Sequence, residues 1–265
     1  MATELARRFV VDRIRSTIGW VIGLGLYTGL IVSFFPSIRD SQSYEAALED
    51  YPDALKEFFG GDAGFQLTTG PGFINAQLFA FMVPLLLAVV AIGYGAALGG
   101  EQQSGLIDLV LANPIRRRRV IVERAVAMLA TIFLLAFTVL LVVTVLGRMV
   151  DLGIDFSRLA AATVATVLVV MVHGLVALAV AGATGSRSVA VGSATVIFAA
   201  GYLLNALSGL VGWLEPMRVL SPYYHAVGPL PLLEGWALPN LVVLVALCFL
   251  VLAAGVVLFE RRDLV

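Results

Sequence analysis

Long apolar runs separated by short polar stretches dominate this chain of 265 residues. An α-helix rises 1.5 Å per residue, so about 20 apolar residues cross the hydrocarbon core of a bilayer. Runs of that length lie at roughly 17–35, 73–98, 120–146, 159–184, 189–214 and 238–259. The pattern therefore predicts an all-α integral membrane protein in which six transmembrane helices form a single domain over residues 1–265.

The composition supports this fold class and restricts the chemistry. Hydrophobic residues make up 60% of the chain and charged residues only 13%, against about 25% charged residues in soluble domains. The single cysteine, Cys248, excludes a disulfide framework and a cysteine-based metal site. With two histidines and no G-x-S-x-G motif, we expect neither a metal centre nor a catalytic site in this chain.

Basic residues are distributed unevenly between the two sides of the predicted spans. Arg116 to Arg119 lie together between the second and third runs, and a single arginine at mid-bilayer costs roughly 2.5–3.5 kcal/mol. The same side carries Arg7, Arg8, Arg13, Arg15, Arg124, Arg187, Arg261 and Arg262, and the other side only Arg39, Lys56, Arg148, Arg158 and Arg218. The positive-inside rule then places both termini in the cytoplasm and the chain in the cytoplasmic membrane. A plainer interpretation, in which the arginine cluster only anchors the topology, stays open.

Two segments outside the spans have the pattern of amphipathic helices. Before the arginine cluster, Leu106, Leu109 and Val110 recur at helical spacing, and Pro114 ends the helix. Before the first span, residues 3–15 predict an amino-terminal interfacial helix whose apolar residues lie near one face and whose charged residues lie elsewhere. Residues of interest in that helix are Arg7, Arg8, Phe9 and Arg13. Each segment either contacts a partner protein or rests on lipid.

Proline and glycine positions add detail to the bundle. Residues 212–239 hold five prolines, at 216, 222, 229, 231 and 239, among many apolar residues, which predicts a re-entrant segment at the outer face. Pro84 predicts a kink in the second span. Three small-xxx-small pairs predict close helix packing, with the first span against two neighbours: Gly19/Gly23, Gly25/Gly29 and Gly95/Gly99.

A few polar side chains lie within the predicted spans. They are candidates for a substrate path, although the plainer role of each is a hydrogen bond to a neighbouring helix: Asn75, Gln77, Thr138, His173 and Asn205. The middle of every span lacks Asp and Glu, which disfavours an ion-driven secondary transporter. A secondary transporter or channel without an ATPase partner nevertheless remains the alternative to the function that the next motifs indicate.

Several motifs together resemble one transporter family. Residues 101–116 resemble the cytoplasmic loop between the second and third spans of type-2 ABC transporter permeases, through Glu101, Gly105, Leu106, Asp108, Leu109, Leu111, Pro114 and Arg116 at their spacing. Further pieces agree along the chain: Tyr51-Pro52-Asp53-Ala54-Leu55, Leu220-Ser221-Pro222 and Phe259-Glu260-Arg261-Arg262-Asp263-Leu264. The likeness is closest to permease subunits of exporters described as antibiotic or multidrug efflux systems.

The resemblance implies a transport subunit that works as a homodimer or pseudo-dimer with a separate ATP-binding cassette subunit. The implied coupling residues are Glu101, Gly105, Leu106, Asp108, Leu109, Val110, Pro114 and Arg116, with Glu101 and Arg116 paired to charges on the cassette subunit or the amino-terminal helix. The chain itself has no Walker A loop, and its only lysine is Lys56. ATP and Mg²⁺ are therefore expected on the partner, no cofactor and no nucleic acid on this chain, and a lipophilic or amphiphilic molecule as substrate.

Overall fold

The computed structural model describes residues 14–39, 67–104 and 117–261, and within these ranges every regular element is helical. Six helices are long and apolar enough to cross a membrane: α1 (Ile14–Arg39), α2 (Gly70–Gln103), α3 (Arg117–Met149), α4 (Phe156–Thr184), α5 (Arg187–Ser208) and α8 (Leu238–Glu260). Between α5 and α8 lie a 3₁₀ helix (Glu215–Leu220), α6 (Pro222–Val227) and α7 (Pro231–Glu234). The all-α fold with six spans is confirmed. The predicted amino-terminal helix (residues 3–15) and coupling helix (residues 101–111) lie mostly outside the described residues. Of these residues the structure describes 14–15, which begin α1, and 101–104, at the end of α2.

Helix α4 occupies the centre of the bundle. It packs against α2, α3, α5 and α8 and against the short helices α6 and α7. Its sequence permits this position because small and apolar residues surround the whole helix, so it has no polar face that requires water. The Asp155 carboxylate caps its first turn, accepting hydrogen bonds from the N–H groups of Ser157 (2.8 Å) and Arg158 (3.2 Å).

Glycines bring α2 and α4 into backbone contact. A Cβ atom on Gly95 would lie 2.3 Å from the carbonyl oxygen of Gly174, so only glycine permits this crossing. Gly25 and Gly29 face side chains of α3, as the small-residue pattern predicted. No neighbouring part of the described structure lies within 4 Å of a Cβ atom built on Gly19 or Gly23. The second packing face expected for α1 is therefore not occupied by the part of the chain that the structure describes.

The helices alternate in direction, so their arginine-bearing ends meet at one end of the bundle. Arg124 at the beginning of α3 contacts Glu101 at the end of α2, and Gly99 of α2 contacts the turn that leads into α5. The arginine-rich end, as we call it, carries Arg15, Arg117, Arg118, Arg119, Arg124, Arg187 and Arg261 among the described residues. At the opposite end lie Arg39, Arg148, Arg158 and Arg218.

The outward faces of the bundle are apolar. Leu26 of α1 and Phe249 of α8 are among many large hydrophobic side chains that are exposed on the chain alone. Soluble monomers rarely expose contiguous apolar patches of this extent, whereas a bilayer covers them. The exposed faces thus agree with the hydropathy of the spans.

Two helix ends differ from a simple interpretation of the apolar runs. Helix α5 ends at Ser208 and not at Leu214, because Gly209 and Gly212, residues of low helix propensity, follow in the turns that lead to the 3₁₀ helix. Helix α3 ends at Met149, and Asp151 shortly after it lies in the left-handed region (φ 53°). The Leu152 N–H donates to the Gly147 carbonyl at 2.9 Å. This is a Schellman cap in which aspartate holds the position that glycine usually takes.

Candidate functional site

At the arginine-rich end an ion pair joins the end of α2 to the beginning of α3. The guanidinium of Arg124 donates to both carboxylate oxygens of Glu101, with Nη1 3.1 Å from Oε1 and Nη2 bonded to Oε2. The two side chains are only 12% and 26% exposed. A fork of this kind fixes the angle between its partners as well as their distance. Glu101 therefore has a partner within the chain. The partners that the resemblance implied, a charge on another subunit or on the amino-terminal helix, stay predictions, because residues 1–13 lie outside the described residues.

The same end of α2 touches the turn between α4 and α5. A Cβ atom on Gly99 would lie 2.7 Å from the Arg187 nitrogen and 2.7 Å from the Ser186 carbonyl carbon. The turn is fixed by its own caps, because Gly185 adopts φ 66° and the Ser186 hydroxyl accepts from the Val189 N–H. The last turns of α2 are thus held from two sides.

Most of the predicted coupling residues cannot be placed. Gly105, Leu106, Asp108, Leu109, Val110, Pro114 and Arg116 lie outside the described residues, as do Arg7, Arg8, Phe9 and Arg13 of the interfacial helix. Their roles stay predictions. Next to them on α3, Arg119 pairs with Glu123 one turn later, at 2.5 Å, a contact within a single helix.

Towards the opposite end, α2 is broken in its first half. Residues Asn75–Phe79 form a π-helix, and Phe81 (φ −150°, ψ −53°) interrupts the backbone before Met82 begins the long second part. Pro84 explains the break, because its ring has no N–H for the carbonyl four residues earlier, at Ala80, and collides with it. The predicted kink thus becomes a full interruption at Phe81.

Residues 209–237, between α5 and α8, form the outer segment. Its Tyr223 bonds to the Ala80 carbonyl, which the break leaves without a helical partner. The Tyr223 hydroxyl donates to the carbonyl oxygen of Ala80, and its side chain is 0% exposed. Burial raises the pKa of the Tyr223 phenol well above its ordinary value, and Tyr202 raises it further, so the hydroxyl keeps its proton. The outer segment is in this way fastened to the interruption of α2.

Local sequence explains how Tyr223 reaches that position. Ser221 caps α6, accepting from the N–H groups of Tyr223 (3.1 Å) and Tyr224 (3.4 Å), and Pro222 suits the first helical position. The Ser221 hydroxyl also donates to the Gly201 carbonyl of α5 at 2.7 Å. Residues 221–235 therefore fold back onto α2, α4 and α5, and Leu232 of α7 is fully buried with Tyr223.

Aromatic rings continue inward from Tyr223. Its ring meets those of Phe198 and Tyr202 edge to face, with centroids 5.8 Å and 5.2 Å apart. Phe198 in turn meets the His173 ring at 5.1 Å, and Tyr202 meets Phe81 at 4.6 Å. Edge-to-face pairs stabilise by about 0.5–1.5 kcal/mol beyond their burial, so this cluster binds α2, α4, α5 and α6 together.

The candidate substrate-path residues do not meet at one place. His173 (0% exposed) lies between α4 and α5, and Asn75 (1% exposed) lies in the π-helix of α2. Thr138 on α3 faces Gly25 of α1, and Asn205 lies half-buried on α5. Gln77 is half-buried, and its backbone carbonyl is 3.5 Å from the Tyr27 hydroxyl. The substrate path stays a prediction.

Hydrogen bonding shows which of these polar groups remain available. The Thr138 hydroxyl donates to the Leu134 carbonyl of its own helix at 3.0 Å, as expected for a threonine in a membrane span. His173 Nδ1 lies 2.7 Å from the Val169 carbonyl, which can only accept, so Nδ1 carries a proton. His173 Nε2 and Asn75 Nδ2 are buried and have no hydrogen-bond partner among the described residues. A ligand would reach them only if the surrounding helices separated.

The cavities on the surface of the described structure include the following two. One, of about 360 Å³, lies at the opposite end beside the α3–α4 turn and includes Arg148, Asp151 and Asp155. The other, of about 240 Å³, is an apolar groove between α3, α4 and α8 that includes Cys248. Neither cavity is lined by a candidate path residue.

Two contacts of this site were not predicted from the sequence: the Glu101–Arg124 ion pair and the hydrogen bond from Tyr223 to Ala80. The sequence identified Arg124 only as one of the basic residues that define the cytoplasmic side, and Tyr223 was not among the candidate residues. The signal for Tyr223 was present, because a proline at 84 leaves the carbonyl at 80 in need of a donor. No comparable signal pointed from Glu101 to Arg124, which are 23 residues apart.

Comparison with known proteins places this architecture. A family model described as "multidrug efflux system permease Rv1217c, C-terminal domain" matches residues 10–260, which include all six spans. No curated protein matches the chain. Since the match covers most of the chain, the protein belongs to this family of multidrug efflux permeases and is a multi-pass membrane transport protein, consistent with the ABC-type permeases that its sequence resembles.

Proposed function

We propose that this chain is the transmembrane subunit of an ABC exporter, which moves a lipophilic or amphiphilic molecule across the cytoplasmic membrane. The energy comes from ATP hydrolysed by a separate cassette subunit, which also holds Mg²⁺. Both termini and the arginine-rich end lie in the cytoplasm. Two copies of the chain, or this chain and a related permease, form the transport unit.

The observation that carries the proposal is the match of residues 10–260 to an efflux permease family in a chain without a Walker A loop. A permease without a phosphate-binding loop needs another source of energy. Ion coupling commonly uses carboxylates at the midplane, and the sequence places no Asp or Glu there. A cassette partner at the arginine-rich end meets this need, and the basic residues favour a cytoplasmic position for that end.

The open faces of the bundle support a second permease copy. No neighbouring part of the described structure lies within 4 Å of a Cβ atom built on Gly19 or Gly23 of α1 or on Gly192 of α5. In membranes, small residues mark positions where another helix approaches closely, since lipid gives no hydrophobic drive for association. The interior suits an apolar substrate, because several threonine hydroxyls of the spans, those of Thr131, Thr138 and Thr166, donate to carbonyls of their own helices.

Co-purification with the ATPase, followed by a transport assay on the reconstituted complex, tests the proposal. The tagged chain is expressed with the cassette ATPase encoded by the neighbouring reading frame, and the complex is reconstituted in lipid vesicles with ethidium as the transported probe. We expect ATP-dependent ethidium movement that disappears when the Walker A lysine of the ATPase is replaced. The permease alone serves as control. Ethidium transport by the permease alone, driven by an ion gradient, would instead establish the secondary transporter.

A further inference from the structure

The ion pair between Glu101 and Arg124 spans the two ends of the segment that the structure does not describe. Glu101 lies two residues before Gln103, the last residue of α2, and Arg124 lies in the second turn of α3. The pair is bidentate and mostly shielded from water. It therefore sets the separation and the angle of the helices from which residues 105–116 depart and to which they return.

Among the described residues, the contact between α2 and α3 is smaller than the contact that either helix makes with α4. Helix α2 packs chiefly on α4, while α3 packs chiefly on α1 and α4, so the two helices share less direct contact with each other. The nearby pair of Arg119 and Glu123 lies within α3 and cannot join it to another helix. The fork of Arg124 is a direct side-chain tie between α2 and α3 at the arginine-rich end.

The tie also connects to a third element. Two residues before Glu101, Gly99 meets the backbone of Ser186 and Arg187 in the α4–α5 turn. A shift of the α2 end against this turn has no flexible side chain to absorb it. Any displacement that Arg124 transfers to Glu101 therefore reaches the beginning of α5 as well.

We infer that Glu101 and Arg124 are a positioning pair that makes both flanks of residues 105–116 move as one body, and that Gly99 relays this movement to α5. The inference rests on the proposed function, because it gives this body the task of transferring the motion of the ATPase to the spans. Neither residue touches substrate. Their loss should uncouple ATP hydrolysis from transport more than it prevents assembly.

A distance measurement tests the tie without any partner. Spin labels are attached to cysteines at the exposed positions Gln103 and Arg118 in a chain with Cys248→Ala, and their separation is measured by pulsed electron resonance. We expect a narrow distance distribution that broadens in Glu101→Gln and narrows again in the charge swap Glu101→Arg with Arg124→Glu. The matched control Arg119→Gln, which breaks only the pair within α3, should keep it narrow.

Transport in the reconstituted complex then tests the role. In Glu101→Gln we expect basal ATP hydrolysis to stay near that of the unmodified complex while ethidium moved per ATP falls at least about fivefold, the lower range of allosteric coupling. The swap should recover at least half of this ratio. Arg124→Lys keeps the charge without the fork, so it should lie between the two, and it replaces Glu101→Gln if that chain does not fold.

The outcomes separate the two hypotheses. A distance distribution that the Glu101 variant leaves unchanged overturns the inference, as does a folded charge swap that stays as broad as the single variants. Unchanged ethidium movement per ATP in the single variants overturns the coupling role. If the unmodified chain recruits no ATPase, the proposed function fails, and the spin-label result still decides whether the tie exists.

Discussion

Replacement of Tyr223 by phenylalanine should destabilise the protein, because it leaves the Ala80 carbonyl of α2 without a hydrogen-bond donor. The phenylalanine ring fills the same space and keeps the edge-to-face contacts with Phe198 and Tyr202. Only the hydroxyl that donates to the Ala80 carbonyl is lost. In this fully buried position no water can replace it without entering the bundle.

The size of the effect follows from the unpaired carbonyl. A buried acceptor without a donor costs about 1–3 kcal/mol, whereas hydrogen bonds between membrane helices average near 0.6 and reach about 1.7 kcal/mol. We expect Tyr223→Phe to lower the free energy of unfolding by about 1–2 kcal/mol, roughly a 5- to 30-fold change in the unfolding equilibrium. Tyr224→Phe is the matched control, because its hydroxyl makes no hydrogen bond within the described structure. It should change this free energy by less than about 0.5 kcal/mol.

A double-mutant cycle with Pro84→Ala shows whether the proline is the reason. Alanine supplies an N–H that can pair with the Ala80 carbonyl, so Tyr223→Phe should cost about 1 kcal/mol less in the Pro84→Ala background. Reversible unfolding of each variant by sodium dodecyl sulfate in mixed micelles measures the four free energies. Equal costs of Tyr223→Phe in both backgrounds would refute the reasoning that links the outer segment to the break in α2.

Three further outcomes are expected. Gly95→Ala should lower the free energy of unfolding by about 1–3 kcal/mol in the same dodecyl sulfate measurement, since its Cβ would lie 2.3 Å from a carbonyl oxygen of α4. Gly93→Ala on the same helix is the control, because no neighbouring part of the described structure lies within 4 Å of a Cβ atom there, and it should be neutral or stabilising. Asp151→Gly should stabilise by about 0.5–1 kcal/mol because it relieves a left-handed residue (φ 53°), and a loss of stability would contradict the helix cap. Cysteines at Arg118 and Met149, in a chain without the native cysteine, should react with an impermeant maleimide from opposite sides of the membrane, and labelling from one side would contradict the six-span topology.

Helix number and type were predictable because each span satisfies its backbone hydrogen bonds internally and needs only enough apolar residues. The end of α5 was not, because the apolar residues after Ser208 continue the hydrophobic run while Gly209 and Gly212 end the helix. Hydropathy measures whether a segment partitions into lipid or into water. It does not report where the backbone turns.

The glycine pairs show a second limit. Gly95 and Gly19 each begin a small-xxx-small pair, yet Gly95 meets the backbone of α4 and nothing in the described structure lies within 4 Å of a Cβ atom built on Gly19. The spacing tells which positions allow close approach but not which neighbour arrives. Likewise, the residues of the ion pair and of the Tyr223 hydrogen bond are joined across distances of 23 and 143 positions, where no local pattern relates them.

Both of these long-range contacts involve α2. Tyr223 bonds to it at Ala80, just before its long continuous part, and Arg124 bonds to it at Glu101, near its end. Between them, Met82–Gln103 is a continuous helix whose middle is held on α4 at Gly95. Its backbone hydrogen bonds make it stiff along the axis, whereas the interrupted part before Met82 lacks that continuity. We therefore expect a displacement of the Glu101 end to be transmitted along this helix to Phe81, where the backbone is interrupted and Tyr223 joins it to the outer segment. Loss of the tyrosine hydroxyl and loss of the ion pair should consequently be non-additive in transport, although they are too far apart to be coupled in stability.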